Sequence, residues 1–267
     1  MPELPEVETI ARGLDPLVRR RTIAKAEILW ERTVDARSIP LETLRGDSIE
    51  SVGRIGKFLA IGLRSGRTLT VHLRMTGRLT VAKKDTHVPY ERLALVFEDG
   101  DKLSFADARK FGRIRLLDEV SSDVLGVGID ALSQSLDAAA FGSIVRKRTT
   151  PVKALLLDQK RIAGVGNIYA NEALFRARIR PRRPAGRLSA RERSALLAAL
   201  RRVLLRAIES RGSSVDDYVD AEGLPGDFQK KLNVYGRAGL PCRRCRTPIK
   251  RIVLGQRGTF YCPACQR

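Results

Sequence analysis

The sequence predicts a multidomain α+β chain: an antiparallel β-sandwich led by one helix, then a helical segment, then a four-cysteine hairpin. Three observations predict it. Apolar residues alternate with period 2 from about residue 22 to 117, with no helix between the runs. Helical spacing takes over after about residue 134. The only four cysteines of the chain fall as two close pairs at its end. The expected borders are 1–133, 134–228 and 229–267.

The first helix is expected over Glu6 to Arg19, where Val7, Ile10, Ala11, Leu14, Leu17 and Val18 recur at helical spacing. Pro5 suits a first helical position. The strands follow. Leu59, Ile61 and Leu63 alternate, as do Leu69, Val71 and Leu73, and Leu93, Leu95 and Phe97. Arg64-Ser-Gly-Arg67 and Glu98-Asp-Gly-Asp101 are hairpin turn signals. Further on, Ser189-Ala-Arg-Glu192 is a capping box. It opens a helix with Leu196, Ala199, Leu200, Val203, Leu204, Ala207 and Ile208 on one face, stopped by Gly212. The stretch Arg178–Arg187, with Pro181 and Pro184, reads as a connector.

Cys242, Cys245, Cys262 and Cys265 form C-x2-C, a 16-residue spacer and C-x2-C. Each pair suits a tight knuckle that presents two thiolates to one tetrahedral Zn²⁺. The spacer alternates around Gly255 and Gly258 as a β-hairpin does, so the segment reads as a zinc ribbon. Two disulfides or free thiols are the other readings; without a secretion signal, disulfides are disfavoured. Four protein ligands leave no open position, so the metal is expected to be structural.

The net charge of +20 points to a polyanionic partner, with nucleic acid ahead of a membrane surface. From Phe228 to Arg267 there are ten Lys or Arg and no acid. No apolar run reaches membrane-spanning length, and the first 20 residues carry four acids and no apolar signal core. A soluble, cytosolic protein facing DNA or RNA is the expectation.

Several residues suit chemistry. If Met1 is removed, Pro2 becomes a terminal secondary amine beside the Glu3 carboxylate. An α-amino group titrates at roughly 7.7–8, so part of it is neutral and nucleophilic near neutrality. Attack on a sugar C1′ gives an iminium directly, an electron sink for breaking neighbouring bonds. Equally, Pro2 is an ordinary second residue. Gly164-Val-Gly-Asn167 before an apolar helical pattern would expose backbone N–H groups to a phosphate, with Lys153 upstream; a plain turn reads the same way. Lys57, at the start of a strand, suits a phosphate or solvent. His72, on one face with Thr68 and Thr70, suits a neutral core or surface histidine as well as a ligand contact. Met75 precedes Thr76-Gly77. Asp107-Ala-Arg-Lys-Phe-Gly112 puts Arg109 and Phe111 in a loop, where Phe111 is either core or a wedge that fills a base stack.

Taken together the chain resembles the bacterial formamidopyrimidine-DNA glycosylases, which remove oxidised purines such as 8-oxoguanine. The resemblance covers essentially the whole chain. It rests on Met1-Pro-Glu-Leu-Pro-Glu6, Gly56-Lys57, His72-Leu-Arg-Met-Thr-Gly77, Asp107-x-Arg-x-Phe-Gly112, Gly164-Val-Gly-Asn-Ile-Tyr-Ala-Asn-Glu172, Val234-Tyr-Gly-Arg237 and the ribbon ending Gln256-Arg-Gly-Thr-Phe-Tyr-Cys262. It implies a two-sheet β-sandwich, a helix–two-turn–helix domain and a zinc ribbon, with duplex DNA in the cleft between the lobes of a monomer. It implies Pro2 as nucleophile, Glu3 as general acid, Lys57 in β-elimination and phosphate contact, and Arg257 in phosphate grip and δ-elimination. Lys153 and Asn167 match backbone-holding positions. Met75, Arg109 and Phe111 match the residues that fill the void, with Arg109 facing the estranged cytosine. Ser213 to Phe228 matches the lid over the flipped base. Among the departures, Ala108 stands where proline is common, Tyr90 where a DNA-contacting histidine is frequent, and Arg148 where lysine is. Gly126-Val-Gly-Ile-Asp-Ala131 replaces a more proline-rich linker. An endonuclease VIII-like enzyme for oxidised pyrimidines is the nearest alternative, against which Leu4 stands where those enzymes often carry glycine. A non-catalytic zinc-ribbon protein that binds damaged DNA is the other.

Overall fold

The computed structural model describes residues 1–215 and 218–267. The chain forms two compact units, Met1–Leu125 with Ser210–Asp227, and Gly126–Glu209 with Phe228–Arg267.

The first unit opens with helix α1 (Leu4–Val18). Eight strands follow: β1 (Ile23–Ile28), β2 (Ile49–Ile55), β3 (Phe58–Leu63), β4 (Thr68–His72), β5 (Arg78–Ala82), β6 (Glu91–Phe97), β7 (Lys102–Ala106) and β8 (Arg113–Leu117). They make two four-stranded antiparallel sheets, in the orders β1-β6-β7-β5 and β2-β3-β4-β8. One core joins both sheets to the apolar face of α1, through Val7, Ile10, Ala11, Leu14 and Val18. Each aliphatic side chain buried this way contributes about 1.5–3 kcal/mol relative to exposure. The two turn signals fall between β3 and β4 and between β6 and β7, as the sequence predicts. Lys57 differs: it occupies the tight turn from β2 to β3, not the start of a strand, because Gly56 takes a left-handed conformation (φ 59°).

Ser210–Asp227 belongs to this unit by compactness, although the sequence division groups it with the helical segment. The reason is local. Tyr218 and Ala221 join the sandwich core, and the Ser213 N–H donates to Glu6 Oε1 at 2.8 Å. Burial, then the nearby Glu6 carboxylate, raises the Tyr218 hydroxyl pKa. Asp216 and Asp217 of the expected lid lie outside the described residues.

The second unit contains the short parallel pair β9 (Ile129–Asp130) and β10 (Ile162–Ala163), after the one-turn α2 (Ser122–Leu125) that precedes it in the first. Its helices are α3 (Ala138–Val145), α4 (Val152–Leu157), α5 (Asn167–Arg176) and α6 (Ala190–Glu209). The capping box at Ser189 forms as read: Glu192 N donates to Ser189 Oγ at 3.3 Å and Ser189 N to Glu192 Oε2 at 2.8 Å. The unit ends in the hairpin β11 (Lys250–Leu254) and β12 (Arg257–Tyr261), turned at Gly255 and Gln256. Among the described residues no helix is long and apolar enough to cross a membrane.

Candidate active site

In the first unit the chain start and three loops make one site. Pro2 and Glu3 are buried at the head of α1, where Glu3 is the N-cap residue. Glu6 Oε2 accepts the Glu3 N–H at 2.8 Å while its other oxygen holds Ser213. One buried carboxylate therefore fixes the backbone of Glu3 and of the 210–227 segment together. Lys57 is buried in its turn. The β3–β4 register sets Phe58 opposite His72, and the β4–β8 register sets His72 opposite Arg113, so Lys57, His72 and Arg113 gather at one end of the sheet.

His72 is neutral. Burial, then the charges of Arg74 and Lys57, push its pKa down to about 3. Its Nδ1 accepts the Arg74 N–H at 3.1 Å, which leaves the proton on Nε2. The imidazole thus offers one neutral donor and no positive charge.

Met75 sits in the β4–β5 loop and Phe111 in the β7–β8 loop, 40% and 49% exposed. Exposure resolves the two readings of Phe111 against a core role. The Arg109 guanidinium lies over the Phe111 ring, 4.8 Å from its centroid. Asp107, almost fully buried, ties these loops to each other. Its carboxylate accepts the Thr76 hydroxyl, the Gly112 N–H at 2.7 Å and the Arg109 N–H at 3.2 Å. Its own N–H donates to the Tyr90 carbonyl at 2.9 Å, and the Tyr90 side chain is exposed. Gly112 admits no side chain, since a Cβ would stand 2.4 Å from Phe105 Cζ. The loop is therefore held without the proline absent at Ala108. Met1, Arg74, Met75, Phe111 and Arg113 line one open cavity of about 400 Å³. The chain start thus opens beside an exposed apolar pair and two cations.

In the second unit, Lys153 and Asn167 converge on the β11–β12 hairpin. Lys153 Nζ donates to Gly258 O at 2.9 Å and Thr259 Oγ1 at 2.7 Å, and Asn167 Nδ2 donates to Gly258 O at 3.1 Å. Arg257, next to Gly258, is exposed. Asn171 extends the clamp by accepting the Phe260 N–H at 2.8 Å. Lys153 is fully buried, so its ammonium anchors the hairpin from below. Arg148 is exposed, its backbone pressed against Gly186, where a Cβ would meet Arg148 N at 2.7 Å.

The four cysteines form the metal centre. Their Sγ atoms all lie within 4.8 Å of one another, with Cys245–Cys262 at 3.4 Å and Cys242–Cys265 at 4.0 Å. A tetrahedral zinc with Zn–S of about 2.3 Å places its sulfurs roughly 3.8 Å apart, so the set fits the ion. None is in a disulfide. The N–H groups of Arg244 and Cys265 donate to Cys242 Sγ and Cys262 Sγ, both at 3.4 Å, which supports thiolate character. The set is a site for one structural zinc.

Sequence alone assigns no role to Asp107, Glu6 or Glu172. Glu172 is buried and accepts the N–H groups of Asn233, Val234 and Tyr235 at 2.8–3.0 Å, shaping the loop that carries Val234-Tyr-Gly-Arg237. The signal that could have found all three is an acid inside each motif of a strongly basic chain.

Comparison with known proteins accounts for the whole chain. Residues 1–114 match the formamidopyrimidine-DNA glycosylase N-terminal domain, 127–219 the H2TH domain of the same enzymes, and 239–267 a zinc finger found in FPG and IleRS. The chain is 46% identical to the formamidopyrimidine-DNA glycosylase of Chloroflexus aggregans, over 100% of this chain and 98% of that one. It is 40% identical to that of Enterococcus faecalis, over 100% and 98%. The crystal structure of MutM (Fpg) from Thermus thermophilus superposes with TM-score 0.88 at 42% identity, covering 99% of this chain and 98% of that one. Lactococcus lactis Fpg in complex with a Fapy-dG containing DNA superposes with TM-score 0.89 at 32% identity, covering 99% and 100%. The chain belongs to the formamidopyrimidine-DNA glycosylase family.

Proposed function

We propose that the protein flips oxidised purines, 8-oxoguanine and formamidopyrimidines, out of duplex DNA, removes them and then cuts the strand by β,δ-elimination. The observation that carries this reading is the cavity shared by the chain start, Met75 and Phe111. A nucleophile at position 2 would lie beside the wedge that holds the stack open.

The chemistry follows from the residues. Removal of Met1 frees the Pro2 nitrogen, which is an amide until then. That nitrogen forms a bond to C1′ as the bond from C1′ to the damaged base breaks; the nitrogen gives up its own proton, and the departing base takes one up. Glu3, as the acid, supplies the proton that lets the sugar ring open, leaving an iminium on Pro2. Loss of a C2′ proton then expels the 3′-phosphate, and a second elimination expels the 5′-phosphate. Lys57 and Arg257 hold the phosphates and assist these steps. Met75 and Phe111 fill the vacated stack, and Arg109 faces the orphaned cytosine. His72 donates from Nε2, and Tyr90, Arg148, Lys153 and Asn167 complete the hold on the backbone. Lys153 and Asn167 do so by setting the hairpin that presents Arg257. We assign the sandwich, 1–133, to catalysis, 134–228 to backbone grip and lid, and 229–267 to the zinc ribbon. The enzyme works as a monomer in the cytoplasm, at the nucleoid.

Release of 8-oxoguanine, compared with thymine glycol, from matched duplexes tests the substrate class. Preference for the purine is expected, and preference for thymine glycol would move the protein to the pyrimidine-directed branch.

A further inference from the structure

Five cations gather at the end of α5 that the chemistry above does not use. Arg176 in the last turn of α5, Arg206 on α6, Lys231, and Arg244 between the first two zinc cysteines line one cavity of about 80 Å³. Arg202 lies four residues before Arg206 on α6, on the same helix face. Burial, then the like charges of Arg202, Arg206 and Arg244, lower the Arg176 pKa. Like charges four residues apart on one helix repel, and the cations from α5 and the zinc knuckle add to that repulsion.

Cations outnumber acids at the cavity: among the described residues that line it, Glu172 is the one carboxylate against Arg176, Arg206, Lys231 and Arg244. The Glu172 oxygens accept the N–H groups of Asn233, Val234 and Tyr235 and Asn233 Nδ2 at 3.0 Å, so its hydrogen bonds go to the 233–235 loop. Among the described residues, Arg176, Arg202 and Arg244 make no side-chain hydrogen bond or ion pair. The floor is apolar, from Phe175, Val203 and Phe228. The Arg244 guanidinium lies over the Phe175 ring, 4.7 Å from its centroid, which holds it at the cavity. Guanidinium forks brought from separate elements to one small, partly apolar cavity match a tetrahedral oxyanion.

We propose that Arg176, Arg202, Arg206, Lys231 and Arg244 form a second phosphate site, occupied by a phosphodiester of DNA apart from the one assigned above to Arg257 on the hairpin that Asn167 docks. The two sites stand at opposite ends of α5, about 14 Å apart along a ten-residue helix. The choice of DNA as the source of the phosphate rests on the proposed function, and on the absence of any acid from Phe228 to Arg267.

The test uses the full-length, zinc-loaded protein and Arg176→Gln/Arg202→Gln/Arg244→Gln. A second variant, Arg176→Gln/Arg202→Gln, leaves the zinc knuckle intact, and zinc content is measured for both. Affinity for a long undamaged duplex is followed against salt. The slope of log K against log salt should shrink by about 0.9 for each phosphate the variant no longer neutralises. Single-turnover excision from a short lesion duplex should be unchanged. An unchanged slope in both variants would overturn the proposal. So would inorganic phosphate binding, read by ³¹P NMR, that the variants lose while the DNA slope stays the same, because the ligand is then free phosphate. If neither protein excises any base yet the slopes differ, the second site stands and the proposed function fails.

Discussion

Asp107 illustrates what one buried carboxylate does at the residue scale. It accepts three hydrogen bonds, from Thr76, Arg109 and Gly112, and so makes one unit of the loops that carry Met75, Arg109 and Phe111. Asp107→Asn replaces one acceptor oxygen by a donor and sets it against an N–H. We expect excision of 8-oxoguanine opposite cytosine to fall about 10-fold or more, on the order of the 1–3 kcal/mol for one unsatisfied buried group. Cleavage at a preformed abasic site should change much less. Equal losses in both assays would show that the loops do not act through the flipped base. Glu3→Gln is the complementary change: excision should collapse while duplex affinity remains, and a parallel loss of affinity would contradict its role as the acid. His72 supplies a pH signature. Its folded pKa of about 3 lies below the ordinary histidine value of 6.5, so the unfolded chain binds the extra proton. Stability should therefore fall as pH drops from about 6.5 towards 3, and be fully present above that window. His72→Gln should flatten this part of the thermal-unfolding profile; an unchanged profile would refute the assignment. The cysteine ligands were legible in the sequence from their spacing, and Pro2, Glu3 and Arg109 stood out there because they sit in short motifs that carry the resemblance. The partners of Asp107 and Glu6 were not, since Ser213 is brought to Glu6 by packing rather than by proximity in sequence.

At the scale of elements, period decided most of what could be read. The period-2 runs became β3, β4 and β6, and the helical spacings became α1 and α6. Strand order was out of reach, because β1 pairs with β6, and β8 returns to β4, across long loops. The two-residue parallel pair β9–β10 carries no pattern at all. The ribbon hairpin is the element with the sharpest consequence. Zinc binding is expected to supply much of its folding energy, while Lys153, Asn167 and Asn171 dock it. Chelation should unfold the hairpin and weaken DNA binding, with the sandwich core intact by circular dichroism. Full binding by metal-free protein would show that Arg257 needs no such scaffold. Ser189→Ala removes the α6 cap, and should cost about 1 kcal/mol in denaturant titration.

Across the whole molecule, a net charge of +20 makes DNA affinity a function of salt. Composition showed that much, and the motif order showed the family. What neither showed is that the chain start, Met75 and Phe111 share one cavity, which needed the sandwich loops to be placed. In the function we propose, covalent bonding to deoxyribose at that cavity is the step from which strand cleavage follows. Borohydride reduction during turnover of an 8-oxoguanine duplex, followed by peptide mapping, reads that step out. A DNA adduct is expected on a chain that begins at Pro2, and none when Met1 is retained. An adduct on any lysine, or full activity in protein that keeps Met1, would contradict it.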